Sequence, residues 1–109
     1  MTGDPCLGQE YSGMNAKFRP GRVVATPGVL DALEVSGQTF EFFLEKHLSG
    51  DWGEVDAEDQ DSNDQALLDG GRLLSSYRTL KGVEIWVLTE AAGDGGERAS
   101  TCLTLPSEY

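Results

Sequence analysis

Apolar residues recur every three or four positions before residue 72 and every second position after it. That change of period is the strongest constraint on what the chain can fold into. Upstream, Phe40, Phe43, Leu44, His47 and Leu48 follow i, i+3, i+4, i+7, i+8 spacing and share one helical face. Downstream, Val83, Ile85, Val87 and Thr89 alternate with Glu84, Trp86 and Leu88, which puts apolar side chains on both faces of a strand and marks it as central. Two periods in one chain predict an α+β domain: two or three N-terminal helices packed on a three- to four-stranded antiparallel sheet. At 109 residues there is material for a single core.

Punctuation places the elements. Residues 22–25 (RVVA) form a short strand candidate, and Thr26-Pro27 opens a helix, with threonine as cap and proline where no N–H is needed. Gly37 stops that helix, Thr39 can cap the next, and Gly50 closes it. Asp56, with Asp59 three residues on, resembles a capping box for a helix over about 57–68. Only Ala57, Leu67 and Leu68 give that segment an apolar face, so it is either a solvated helix held at its end or a partly ordered loop. Residues 72–79 and 83–90 flank a tight Leu80-Lys81-Gly82 connection, a hairpin pattern, and residues 100–105 give a further strand ended by Pro106. Residues 1–13 show no period and are expected to be a flexible tail before one domain over 14–109; Met14 is an alternative start.

Charge is as segregated as period. Residues 23–71 hold twelve acids and one base, Lys46, a local balance of −11 that equals the balance of the whole chain. Eight of those acids lie between Asp51 and Asp69 with no base among them. Such a field repels nucleic acid and attracts cationic partners. The two cysteines, Cys6 and Cys102, fit no zinc spacing and are expected to be reduced thiols of a cytoplasmic protein. No apolar run approaches the ~18 residues of a membrane span, and the first twenty lack a secretion-signal core.

Three constellations come near to known chemistry. The two helices around Ser36-Gly37-Gln38 resemble a helix-turn-helix, but the second carries Glu41 and Glu45, which would repel a duplex. Asp59, Asp61 and Asn63 match the first three ligand positions of a calcium loop, yet Asp64 and Gly70 stand where a glycine and a bidentate glutamate belong; weak divalent-cation binding is the most this pattern allows. His47 is the sole histidine. A small ribonuclease or toxin-like enzyme would use it as general base, with Arg78, Glu90 and Thr101 converging on a phosphodiester, and Ser75, Ser76 or Tyr77 as neighbours. Its position on an apolar stripe near a helix end favours a structural role instead. No phosphate loop, dinucleotide fingerprint or nucleophile elbow occurs, and no cofactor is implied.

Gly50-Asp51-Trp52-Gly53, Ser76-Tyr77-Arg78, Thr89-Glu90 and Pro106 to Tyr109 stand in a stretch from Arg22 to Tyr109 that is similar to small bacterial "plasmid-related" proteins. That group also carries the label of a type I restriction subunit M. The chain is far too short for a methyltransferase subunit, so the resemblance implies a mobile-element association and no particular activity. The expectation that follows is an acidic, non-enzymatic inhibitor of phage or plasmid origin, of the anti-restriction or anti-CRISPR type. It would imitate phosphates and occlude the basic nucleic-acid-binding surface of a host defence protein, touching neither nucleic acid nor membrane itself. Its contacts are expected at Asp51, Glu54, Asp56, Glu58, Asp59, Asp61 and Asp64; Trp52 and Trp86 read as core or core-edge residues, with Trp52, between Asp51 and Gly53, as the alternative apolar anchor. An antitoxin-like or structural partner protein would share this charge argument with a different target.

Overall fold

A computed structural model describes residues 16–109; the expected tail over 1–13, Met14 and Cys6 lie outside the described residues. Strand β1 (Arg22–Ala25) leads into three helices, α1 (Pro27–Ser36), α2 (Phe40–Leu48) and α3 (Ala57–Asp69). Strands β2 (Leu73–Arg78), β3 (Glu84–Thr89) and β4 (Ser100–Thr104) follow, with a final 3-10 turn over Pro106–Glu108. The local signals explain most of these limits. Thr26 Oγ1 accepts from the Val29 N–H at 3.4 Å, and Gly37 ends α1 at φ +73°, a conformation that only glycine adopts without strain. Asp56 caps α3 by accepting from the Asp59 N–H at 2.8 Å. Thr39 precedes α2 in extended backbone, but its hydroxyl makes no cap bond.

The sheet corrects the expectation in two respects. Its order is β1-β4-β3-β2, and β1 runs parallel to β4, so the sheet is mixed and not antiparallel. The helices are not N-terminal to it; they lie in the connection between β1 and β2. The meander β2-β3-β4 contains two reversals, so β4 points as β2 does. The three helices therefore carry the chain across one face and return it in the direction in which β1 left. Because β1 and β2 are the two edge strands, that connection crosses the whole width of the sheet before the meander brings β4 back beside β1.

Register sorts the sheet into two unlike faces. Val23, Thr101, Thr89 and Leu73 form one cross-strand row, and Ala25, Leu103, Val87 and Ser75 the next. These point toward the helices, where Val29, Leu33 and Phe43 pack on Tyr77, Ile85, Val87 and Leu103. The opposite, helix-free face carries Val24, Cys102, Leu88 and Leu74, then Thr104, Trp86 and Ser76.

The outer edge of β2 has its hydrogen bonds closed by α3 and by the chain before it. Asn63, buried on α3, donates from Nδ2 to the Leu74 carbonyl at 2.8 Å and accepts from the Leu74 N–H at 3.1 Å. Its amide stands in for the peptide of a missing fifth strand. Two residues along, the Ser76 N–H donates to the Trp52 carbonyl at 3.1 Å and the Glu54 N–H donates to the Ser76 carbonyl at 2.7 Å. Sealing an edge this way also prevents it from templating another chain. Replacing Asn63→Ala leaves both Leu74 groups unpaired. Denaturant titration should show a loss of about 2–4 kcal/mol, and a loss under about 0.5 kcal/mol would show that the amide does not close this edge.

Candidate functional site

Helix α3 carries the densest charge. Glu58, Asp59, Asp61, Asp64 and Asp69 are all exposed on it, and the helix contains no base. A helix with so little apolar surface has small intrinsic stability, and side-chain clamps supply what burial does not. Besides the Asn63 bonds, the Trp52 indole N–H donates to Asp64 Oδ1 at 3.1 Å. Toward the C-terminal end of α3 the Arg98 guanidinium donates to three carbonyls: Gly71 at 2.6 Å, Glu90 at 2.9 Å and Ala66 at 3.1 Å. It thereby supplies the cation that the last turn of α3 lacks. Partial burial lowers the Arg98 pKa, with Asp69 acting in the opposite direction.

The expected contact residues divide into two sets. Asp51 pairs with Lys46 at 3.4 Å and accepts from the Gly53 N–H, and its backbone carbonyl accepts from the Tyr77 hydroxyl. Glu54 pairs with Arg78 at 3.0 Å, Asp56 is the cap of α3, and Asp64 holds Trp52. Glu58, Asp59 and Asp61 have no side-chain partner among the described residues. Trp52 is not an exposed anchor: it is 4% exposed and packs with Ala66 and Leu73. Gly53 explains the tight approach, since at φ +76° a Cβ there would collide with the Ser76 carbonyl oxygen. The calcium-loop pattern falls inside α3. The Asn63 amide is committed to Leu74, and Asp59 and Asp61, two residues apart on a helix, project to nearly opposite sides.

The four residues of the enzymatic alternative do not converge. Arg78 lies five residues from Leu73, the residue paired with Thr89, or about 17 Å along the strand from the end that bears Glu90. His47 and Thr101 are both 0% exposed. His47 instead heads a buried chain of hydrogen bonds. Its Nδ1 is 2.5 Å from Ser75 Oγ, and its Nε2 is 2.8 Å from Thr89 Oγ1. Thr89 Oγ1 is 2.7 Å from Thr101 Oγ1, which donates to the Pro20 carbonyl at 2.8 Å.

Counting protons fixes every direction in the chain. The Pro20 carbonyl only accepts, so the single Thr101 proton goes there, and Thr89 must donate to Thr101. Thr89 then accepts from His47, which is the Nε2–H tautomer, and Ser75 donates to Nδ1. A neutral imidazole satisfies this arrangement; an imidazolium would leave two donors facing each other at Ser75 unless that hydroxyl turned. Burial, with the Arg98 charge as the smaller cause, lowers the His47 pKa to about 3. The histidine pattern had placed Ser75 nearby, whereas Thr89 and Thr101 as a relay were missed. The available signal was alternation, which put Thr89 on the core face with a hydroxyl needing a partner.

A cleft of about 760 Å³ lies between residues 17–21, the C-terminal end of α3 and the glycine-rich loop. Among the described residues its walls mix Lys17, Arg19 and Arg98 with Asp69, Asp94 and Glu97, and contain no histidine, serine or cysteine. No family model, curated protein or solved structure matches this chain.

The buried histidine makes stability depend on pH with a definite sign. Unfolded, it takes up a proton near pH 6.5; folded, it resists protonation down to about pH 3. Its contribution is complete above about pH 6.5 and is lost as pH falls toward 3, at up to ~1.4 kcal/mol per pH unit. Denaturant titrations of wild type and His47→Gln between pH 7 and 4 should show that slope in wild type and a shallower one in the variant. Equal slopes would mean that the imidazole is not held neutral.

Proposed function

We propose that this protein is a non-enzymatic acidic binding module whose α3 surface occupies a cationic, nucleic-acid-binding groove on a partner protein. The observation that carries this reading is the clamping of α3: a helix with a weak apolar face is nonetheless capped by Asp56 at its start and held from its middle to its C-terminal end by Asn63, Trp52 and Arg98. Those clamps keep the carboxylates at set positions, where a loose acidic loop would offer charge without geometry. Glu58, Asp61 and Asp64, at i, i+3 and i+6, fall on one side of α3 over an axial span of about 9 Å, while Asp59 projects from the other side. Successive charges on that first side are about 4.5 Å apart along the axis, the same order as the ~3.4 Å axial spacing of phosphates on one strand of duplex DNA.

Lysine and arginine arrayed for a phosphate backbone respond to charge at that density, so occupancy alone would inhibit the partner. Glu58, Asp59 and Asp61 are the contacts least committed to the fold, and Asp64 is the one oriented by a buried side chain. A host defence nuclease or its regulator, met by a plasmid- or phage-borne protein, is the partner class that the sequence resemblance favours. The ribonuclease alternative has no comparable support, because both ring nitrogens of His47 are bonded in the interior. No helix among the described residues is long and apolar enough to cross a membrane.

The tests are capture and competition. Immobilised protein should retain a basic nucleic-acid-binding protein at low salt, release it as salt rises and release it to added duplex DNA. Glu58→Gln, Asp59→Asn and Asp61→Asn together spare the Asp56 cap and should weaken capture at least tenfold with an unchanged melting temperature. Capture that survives the triple change, or that duplex DNA fails to displace, removes the proposal.

A further inference from the structure

The C-terminal residues fold back across the helix-free face of the sheet. After β4 the chain turns at Pro106–Glu108, and its last two side chains reach opposite ways. Glu108 reaches the start of α1: Oε1 accepts from the Thr26 hydroxyl at 2.5 Å and Oε2 from the Gly28 N–H at 3.1 Å. Tyr109 reaches the other side, where its hydroxyl accepts from Arg72 at 3.0 Å and its ring meets the Trp86 ring edge-on at 5.7 Å. The same outer face carries Cys102 and Leu88, a cross-strand pair, with the Cys102 thiol half-buried. Leu88 is only 8% exposed although no helix covers that face.

We propose that Leu105–Tyr109 is a strap over the outer sheet face, latched by Glu108 in the first turn of α1, and that its opening uncovers Cys102 and the apolar row around it. The attachments suit a reversible strap. They are peripheral, solvent-facing and polar, so they are weak beside the packing of the core. The latch is also shaped for its occupant. Gly28 carries no side chain, and a Cβ there would come within 2.7 Å of the Glu108 carboxylate. The helix N-terminus and the Thr26 hydroxyl favour the ionised carboxylate, whose pKa is lowered chiefly by the Thr26 bond. Closure in turn protects the thiol: burial first, then the Glu108 and Glu90 charges, raise the Cys102 pKa and suppress the thiolate that reacts.

The test is the rate at which N-ethylmaleimide alkylates Cys102, the sole thiol in a Cys6→Ser background. In that reaction the thiolate sulfur bonds to an alkene carbon and the neighbouring carbon takes up a proton. Glu108→Gln and Gly28→Ala should each accelerate alkylation about three- to tenfold, and a chain ending at Leu105 should react at least as fast, with thermal unfolding still cooperative. Gly28→Ala is the discriminating variant, because it displaces the latch while leaving the Glu108 charge in place. Acceleration by Glu108→Gln alone would assign the effect to charge near the thiol and overturn the strap. A shortened chain that reacts at the wild-type rate would overturn it as well.

Discussion

The hydrogen-bonded chain from Ser75 through His47, Thr89 and Thr101 to Pro20 is the constraint on which the rest of this structure depends. Five polar groups lie in a row between the helix layer and the sheet, where each would be costly unpaired. Because the last acceptor is a carbonyl, every proton along the row has one allowed position, and so does the imidazole ring. The row joins α2 to β2, β3 and β4, and then to the segment that precedes β1. A shift of any strand by one residue would break it, so it pins register in a way that interchangeable apolar contacts do not.

Its influence extends to the acidic surface in two contacts. The His47 ring meets the Trp52 ring edge-on at 5.5 Å, and the Trp52 indole N–H holds Asp64 on α3. Phe18 stands against both rings. The most charged of the described helices thus meets a fully buried polar group through a tryptophan whose segment also closes the edge of β2. Rigid display of charge and integrity of the sheet edge are consequences of the same packing, and a change at Trp52 would disturb both.

Much of this arrangement was legible in the sequence where the physics is local. Thr26-Pro27 and Gly37 mark α1 because capping and left-handed backbone are properties of single residues, and Asp56 marks α3 for the same reason. The β2–β3 hairpin follows from alternation and a short connection. Elsewhere, local signals left two outcomes open or pointed the wrong way. Trp52, between an aspartate and a glycine, reads as core or as an exposed anchor; it is buried because Ala66 and Leu73 arrive from elements further along the chain. Asn63 sits in an acidic run that suggests a cation loop, and its amide instead completes a strand edge eleven residues away.

By itself the sequence determined α1, α2, the strands and the confinement of negative charge to one part of the chain, because these depend on residue type and on spacing within a few positions; it left α3 open between helix and loop. The tertiary structure alone decided that β1 lies parallel to β4, that His47 has its partners on two strands, and that five of the eight expected contact residues are occupied inside the molecule. Those outcomes depend on which distant groups meet. Hydrogen bonds and close packing act over about 3–4 Å in space, and separation along the chain carries no record of them.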